Sequence, residues 1–422
     1  MDETTAGAGV VVIGGGQAGI QAADSLRAAG YEPPVTVIAD EDGLPYQRPP
    51  LSKDYLGQGP SPEPLPLRAG GFFVDRRIDL RRGVAATAID RTRRRVALSD
   101  GEHLEYDYLI LATGASNRVL TCPGAELPGV RGLRTLEDAQ ALRGELETVG
   151  DVVVVGAGFI GLEFAAAARQ RGVRVTVLEF GDRPMGRALT PAAGDWFAGA
   201  HRRNGVDLRF GEGIGSIAAG DDGRAVAVVS TTGRRYRADL VVVGIGVVPN
   251  TGLAADAGLE IDNGIVVDES LATSDPAILA VGDCANFPSA RSGSRLRLES
   301  VQNATDQGRH ASRIILEGTE RYDDVPWFWS TQGAIRLQIA GVSAPGDATS
   351  VVGDPAAGRF SVICHRDGRL SAVESVNSPA DHLAARKLLS SGDGPSLQDV
   401  AAPGFSLKAF ARNAANRTAS TH

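Results

Sequence analysis

A glycine triplet in the pattern G-x-G-x-x-G occurs twice in this chain, each time between an apolar strand and a helical run, and that repetition limits the fold more than any other feature. In Asp151–Glu179 (DVVVVGAGFIGLEFAAAARQRGVRVTVLE) the apolar run Val152–Val155 leads into Gly156, Gly158 and Gly161. An Ala-rich helical run, Leu162–Gln170, follows, and then a second apolar strand, Val173–Leu178, ending at Glu179. The first glycine permits a tight turn, the second lets a pyrophosphate approach the backbone, and the third packs helix against strand, with the helix N-terminus facing the phosphate charge. Glu179 stands where a carboxylate accepts both hydroxyls of a ribose and repels a 2′-phosphate, so NADH is expected in preference to NADPH. A lone glycine triplet also suits an ordinary βαβ crossover; strand, helix and terminal acid together point to a dinucleotide.

The second copy is Val10–Asp40 (VVVIGGGQAGIQAADSLRAAGYEPPVTVIAD), in which Gly14, Gly16 and Gly19 precede Gly156, Gly158 and Gly161 by a constant 142 residues. Asp40 falls one residue later than the counterpart of Glu179. Further on, Asp107–Gly114 (DYLILATG) parallels Asp239–Gly246 (DLVVVGIG), now 132 residues apart. Two dinucleotide folds call for two dinucleotides, and with NADH as one the other is most economically FAD. The expected organisation is an FAD-binding domain in two parts, residues 8–117 and 246–325, an NADH-binding domain of residues 118–245 between them, and a C-terminal α+β domain of residues 326–422.

With 422 residues, 43% of them hydrophobic, the chain can bury two or three proper cores. A net charge of −8 argues against general binding to nucleic acid or to a membrane surface. No apolar run approaches the roughly 18 residues of a membrane span. The start, MDETTAGAG, resembles neither a signal peptide nor an Arg-rich transit peptide and is expected to be frayed over residues 1–8, so a cytoplasmic protein is expected. Cys122, Cys284 and Cys364 are scattered and odd in number, which suits a reducing compartment, and Cys284 reads as a small buried hydrophobe. The histidines do not cluster, so no metal site is indicated. Among the basic residues only Lys53, Lys387 and Lys408 are lysine.

Between the first βαβ unit and the next strand lies PYQRPPLSKDYL. Its prolines stiffen the entry and Ser52 is placed to cap a short helix. Arg48 and Lys53 are either two exposed cations on a rigid loop or, given the FAD already called for, groups on the flavin phosphate and ring. The Arg-rich stretch 76–95 alternates as a hairpin turning at Asp90–Arg94; it is either a solvated basic hairpin or a docking patch for an acidic partner. Residues 220–235 read as a β-meander. Asp283 ends the strand Ile278–Val281, where a short carboxylate can bond a ribityl hydroxyl, and Ala304–Ile315 reads as a helix. From Val325 the pattern becomes antiparallel: Trp327 and Trp329 share a strand face, Arg336–Ala340, Phe360–His365 and Leu370–Val376 alternate, and Pro379–Ser390 is helical. Core packing is the ordinary fate of such tryptophans; for Trp329 a cofactor-facing position is expected.

The pieces GGGQAG, RPPLSKDYL, ATGA, LRTLEDA, GAGFIGLE, GIGVVPN, LAVGDCA, ESVQNA and PWFWS, spread over about residues 8–342, resemble the FAD-dependent, NADH-using ferredoxin reductases of bacterial cytochrome P450 and Rieske oxygenase systems, the putidaredoxin-reductase-like family. The resemblance implies an α/β, glutathione-reductase-like fold: two Rossmann-like dinucleotide-binding domains plus a C-terminal α+β domain. It implies that Gly14, Gly16, Ala18, Gly19, Asp40, Arg48, Lys53, Ala86, Thr113, Arg134, Asp283 and Val301 line FAD, and Gly114, Gly246 and Trp329 are expected to bind a cofactor as well. Gly156, Gly158, Ile160, Gly161, Glu163 and Glu179 would line NADH. Lys53 and Glu163 would pair beside the flavin, Phe159 would be an aromatic lid over it, and Trp329 would lie on the electron exit path. Thr331 departs from the family pattern, which usually has an acid before the glutamine.

The implied activity takes a hydride from NADH onto FAD and passes single electrons to a [2Fe–2S] ferredoxin, the protein being a monomer or a weak homodimer. Docking of that ferredoxin is expected at a local basic patch drawn from Arg68, Arg309, Arg313 and Lys408. Disulfide reductases need a cysteine pair, and NADH peroxidases and oxidases a single cysteine after the first βαβ unit; neither is present. An NADH oxidase and a redox-sensing interaction module of the apoptosis-inducing-factor type are the alternatives.

Overall fold

The computed structural model describes residues 8–59, 63, 65–318 and 320–419; the fraying expected for residues 1–8 falls, apart from Ala8, outside them. The chain divides into two compact units, one of Met1–Gln47, Pro64–Ser116 and Val248–Asp324, the other of Arg48–Glu63, Asn117–Val247 and Val325–His422.

The first unit is built on a parallel five-stranded sheet in the order Ile278–Ala280, Tyr108–Leu111, Val10–Ile13, Val35–Ala39, Asp79–Arg82. Val10–Ile13 is buried along its whole length, as an apolar run without alternation demands of a strand covered on both faces. Helix Gln17–Ala28 packs on helix Val301–Glu317. They approach closely because Gly308 lies at the crossing: a Cβ there would stand 2.6 Å from the carbonyl oxygen of Ala18. The latter helix starts at Val301, earlier than the expected Ala304, and the Ser300 hydroxyl caps it by accepting from the amide of Asn303 at 3.1 Å.

The arginine-rich stretch forms a hairpin, Ala86–Asp90 against Arg95–Leu98, joined by His103–Glu105 as a third strand. Three of its cations are answered within the unit: Arg81 by Asp79 and Glu102, Arg91 by Asp275 and Arg93 by Asp90.

The second unit repeats the plan with a parallel sheet in the order Val206–Phe210, Arg174–Glu179, Asp151–Val155, Leu240–Val243, Val130–Arg131. The registers correspond: Ile13 pairs with Ile38 and Leu111, and Val155 with Leu178 and Val243. The expected meander is the antiparallel sheet Ile214–Ala219, Ala225–Ser230, Arg235–Arg237. The same unit holds the C-terminal antiparallel sheet, in the order Trp327–Gln332, Ile335–Gly341, Arg369–Val376, Arg359–Arg366, Ala348–Asp354. Helices Pro379–Ser391 and Leu407–Ala419 cover it through a core that includes Ala340, Ile363, Val373, Ala385, Leu388 and Leu407.

One buried carboxylate ties the C-terminal sheet to the nucleotide-type sheet's own helix. Glu374 is 0% exposed. It accepts from the amide of Thr190 at 2.8 Å and from its hydroxyl at 2.6 Å, and Thr190 caps helix Pro191–Arg203. Burial outweighs these donors and pushes the Glu374 carboxyl up from 4.5 to about 6. A raised folded-state pKa means that the folded chain keeps a proton the unfolded chain has already released. The contribution is therefore fully present below pH 4.5 and is lost as pH rises to about 6. Glu374→Gln stays neutral throughout and keeps one carbonyl acceptor, an amide NH2 replacing the second oxygen. Across that window, denaturant unfolding is expected to show the wild type losing on the order of 2 kcal/mol relative to the variant, with no further divergence at higher pH.

Candidate functional site

The three glycines of each triplet answer to different physical demands. Gly14 and Gly156 have φ of +122° and +100°, a conformation that side chains disfavour. Gly19 and Gly161 have no room: a Cβ would stand 2.0 Å from the carbonyl oxygen of Gly14 and 2.2 Å from that of Gly156, respectively. The middle glycines have neither excuse. Gly16 and Gly158 have ordinary φ values of −80° and −77°. A Cβ on Gly16 would meet nothing within 4 Å, and one on Gly158 only the carbonyl oxygen of Gly244, at 3.8 Å. Both middle glycines are helix N-caps without a side-chain capping bond, and neither first turn contains an acid. The amides that a helix leaves unpaired at its start thus face ground kept bare of side chains, which fits the pyrophosphate of a dinucleotide.

At the end of the next strand in the second unit, Glu179 is held by its own turn. Its Oε2 accepts from the amide of Ala157 at 2.7 Å and its Oε1 from that of Gly181 at 2.8 Å. Each oxygen retains a lone pair for a ribose hydroxyl. In the first unit the corresponding strand position is Ala39, by register, and Asp40 is exposed one residue beyond it.

The remaining residues of the FAD set in the first unit lie at strand ends and helix starts. Ala18 is in the first turn of Gln17–Ala28, and Ala86 opens the hairpin. Thr113 and Gly114 follow the strand Tyr108–Leu111, the Thr113 hydroxyl donating to the carbonyl of Asn250 at 2.6 Å. Asp283 sits in the short 3-10 turn Gly282–Cys284, and Val301 opens its helix. Arg48, Lys53, Arg134, Gly246 and Trp329 belong to the second unit. There Arg48 donates to the carbonyl of Arg134 at 2.8 Å, and the carbonyl of Gly246, at φ +97°, accepts from the amide of Arg118 at 2.9 Å.

Lys53 and Glu163, far apart in sequence, meet at 2.8 Å. Glu163 lies one turn into helix Phe159–Gln170 and is only 3% exposed, so its charge requires partners. It has three. Lys53 Nζ and the Ser52 hydroxyl, at 2.5 Å, both donate to Oε2, and the Ser330 hydroxyl donates to Oε1 at 2.6 Å. Lys53 Nζ also donates to the carbonyl of Pro49 at 3.0 Å. Ser52 therefore does not cap a helix; it closes the 3-10 turn Pro49–Ser52, and its hydroxyl donates to the buried carboxylate instead.

Behind Ser330 the chain of bonds continues. Gln332 Nε2 donates to the Ser330 hydroxyl at 3.2 Å, and Gln332 Oε1 meets His201 Nε2 at 2.6 Å. Burial holds the His201 pKa below its ordinary value, so the neutral ring donates from Nε2 and leaves Nδ1, which has no partner, bare.

Strand Trp327–Gln332 shows why only half of it takes part. Phe328 and Ser330 face helix Phe159–Gln170, the Phe328 ring lying 4.5 Å from that of Phe159, and Gln332 shares their parity. Trp327 and Trp329 turn the other way with their rings 5.6 Å apart, and Thr331 shares their parity. Ile160, beside Phe159, is 43% exposed. Ser330 and Gln332 were discernible in the alternation of WFWSTQ; nothing in the sequence singled out Ser52 as a partner of Glu163, or His201 at all. Of the expected docking cations, Arg68 is paired with Asp24, Arg309 with Asp306 and Arg313 with Glu320, and Lys408 lies in the second unit, on helix Leu407–Ala419.

Two outcomes follow from this geometry. Gly158→Ala is expected to leave the melting temperature unchanged while weakening pyridine-nucleotide binding about tenfold, near 1.4 kcal/mol. Gly161→Ala instead destabilises by about 1–3 kcal/mol, since its methyl group meets backbone. In the same denaturation assay Ser330→Ala is expected to cost about 1.5–3 kcal/mol, the range for a hydrogen bond to a charged group. Thr331→Ala, on the opposite face, should cost under about 0.5 kcal/mol.

Residues 8–308 match the pyridine nucleotide-disulphide oxidoreductase family and residues 327–411 the reductase C-terminal family. Rhodocoxin reductase of Rhodococcus erythropolis is 50% identical over 96% of this chain and 95% of its own length. Among solved structures, the ferredoxin reductase of a cytochrome P450 system from Rhodopseudomonas palustris superposes with a TM-score of 0.92 at 45% identity, over 95% of this chain and 99% of that one. The covalent putidaredoxin reductase–putidaredoxin complex gives 0.91 at 38% identity, over 96% and 99%. No helix among the described residues is long and apolar enough to cross a membrane. With two nucleotide turns of matching register and an antiparallel C-terminal sheet, the chain belongs to the pyridine nucleotide-disulphide oxidoreductase family of FAD- and NAD(P)H-using enzymes, in the branch that carries the reductase C-terminal domain.

Proposed function

We propose that this protein is an NADH-dependent ferredoxin reductase, taking a hydride from NADH onto FAD and passing single electrons to a [2Fe–2S] ferredoxin that feeds a cytochrome P450 or a Rieske oxygenase. The observation that carries this reading is the pairing of Lys53 with buried Glu163, which lies on the helix that follows the second glycine turn, in a chain whose three cysteines are all free. Burial raises the thiol pKa of Cys122, Cys284 and Cys364 alike, the opposite of what a redox-active thiol requires. The names of the relatives support the same reading: a rhodocoxin reductase, a ferredoxin reductase of a P450 system, and a putidaredoxin reductase caught with its putidaredoxin.

In this reading residues 8–117 and 246–325 hold FAD, residues 118–245 hold NADH, and residues 326–422 complete the protein. Bound FAD supplies the conversion of a two-electron hydride into single electrons. The chain supplies placed charge. Glu163, fixed by Ser52 and Ser330, keeps a single orientation towards the nicotinamide carboxamide, and the Lys53 ammonium offers positive charge where the cofactor gains electrons. Phe159 shields that place from water. Glu179 selects NADH by accepting from the ribose hydroxyls and repelling a 2′-phosphate.

The test is anaerobic stopped-flow of the flavin-loaded protein with NADH, then with a [2Fe–2S] ferredoxin. Rapid flavin bleaching followed by rapid iron–sulfur reduction is expected, with NADPH at least about tenfold less effective than NADH, or 1.4 kcal/mol. Reoxidation by oxygen or by a disulfide, and by no ferredoxin, would overturn the proposal.

A further inference from the structure

The most exposed large apolar side chain among the described residues is Phe180, at 81%. It directly follows Glu179 at the end of strand Arg174–Glu179. Exposure here does not come from a loose loop. The carbonyl of Glu179 accepts from the amide of Glu212 at 3.0 Å, and that of Gly181 from the amide of Gly211 at 2.9 Å, so the residues on either side of Phe180 are both anchored to the next turn. The Glu179 carboxylate, bonded to the amides of Ala157 and Gly181, braces the same turn from within.

The ring itself rests on a glycine. A Cβ at Gly213 would stand 3.2 Å from Cδ2 of Phe180 and 3.3 Å from Thr231 Cγ2. Gly213 in turn is hydrogen-bonded to Thr231, its carbonyl accepting from that amide at 2.9 Å. Phe180 is therefore an aromatic ring on a clamped backbone, supported along one edge and open elsewhere.

Its place along the nucleotide turn says what it is open to. Read from the phosphates outward, a dinucleotide presents pyrophosphate, then ribose, then base. The second unit presents, in matching order, the bare helix start at Gly158, the ribose acid Glu179, and Phe180. The base is a flat, uncharged ring system, and an aromatic side chain stacks on such a face without needing hydrogen-bond registry.

We infer that Phe180 is the adenine platform of the nicotinamide nucleotide, a binding residue that tightens the adenosine half of NADH. This rests on the reading of residues 118–245 as the NADH-binding domain, and the experiment separates the two. ADP-ribose, which carries the adenosine half but no nicotinamide, is titrated calorimetrically into the flavin-loaded wild type, Phe180→Ala and Phe180→Trp. The alanine variant is expected to bind ADP-ribose about tenfold more weakly, near 1.4 kcal/mol. The tryptophan variant, which keeps a stacking face, should stay within about threefold of wild type, a difference of about 0.7 kcal/mol. In steady-state reduction of a dye acceptor, the kcat/KM advantage of NADH over dihydronicotinamide mononucleotide, which lacks adenine, should fall in Phe180→Ala by the same factor as the ADP-ribose affinity. Equal ADP-ribose affinity in wild type and Phe180→Ala would overturn the platform while leaving the domain reading standing. Failure of the wild type to bind ADP-ribose at all would overturn both.

Discussion

A carboxylate removed from water must be answered from within the protein, and in this chain Glu163 is answered by segments that the sequence keeps far apart. Its donors come from Ser52 and Lys53, which precede it by more than a hundred residues, and from Ser330, more than a hundred and sixty residues after it. That demand helps explain why Arg48–Glu63 belongs to the second unit although it interrupts the first in sequence. The apolar side of the segment, Leu51, Tyr55 and Leu56, is buried, but its polar side sets where it is held. Arg143 donates to the carbonyls of Tyr55, Gly57 and Gly59, and Arg171 to those of Leu56 and Gly57. Guanidinium groups with several donors in a fixed fork suit a stretch of backbone whose carbonyls have no strand or long helix to join.

The parts of this structure that were legible in the sequence are those where backbone geometry dictates composition. A turn at positive φ, a crossing with no room for a methyl group and a helix start kept clear each demand glycine, so Gly14, Gly19 and Gly16 are visible without a structure. Strands covered on both faces demand unbroken apolar runs, and the sheets follow from them. The polar cluster is a different case. Serine, glutamine and histidine are common on surfaces, and what sets Ser52, Gln332 and His201 apart is an exposure of only 2%, 1% and 1%, a consequence of packing between elements distant in the chain. The local rule that makes serine a cap after Pro-Pro-Leu lost to a carboxylate that only the folded unit brings near. The alternation in WFWSTQ did carry the signal for Ser330, because a polar side chain on the face of Phe328 is unexpected unless a partner waits there.

The two halves agree at the glycine turn and diverge at the end of the next strand, and that divergence has a physical reading. Strand register equates Val155 with Ile13 and Leu178 with Ile38, so Glu179 corresponds to Ala39. In the second unit the acid ends the strand and is locked by two amides; in the first the strand ends in a methyl group and Asp40 follows, exposed. Similar glycine turns followed by unlike strand ends are expected where the turn is dictated by backbone geometry and the strand end by side chains, which are free to differ between the two halves.

The cysteines separate this chain from members of its family that store electrons in a disulphide. Cys284 is fully buried, with its thiol donating to the carbonyls of Val281 and Leu111, and Cys364 lies inside the antiparallel sheet. Desolvation makes every thiolate harder to form. A polypeptide without an available thiol pair holds no two-electron reservoir of its own, so any electrons must move between bound groups while the covalent state of the chain stays constant. Its contribution is then confined to fixing geometry and field. That is the use to which a buried, hydrogen-bonded carboxylate beside an ammonium is suited. Held by Lys53, Ser52 and Ser330, the Glu163 carboxylate keeps its orientation before any ligand arrives, and its Oε1, which among the described residues accepts only from Ser330, retains an acceptor site.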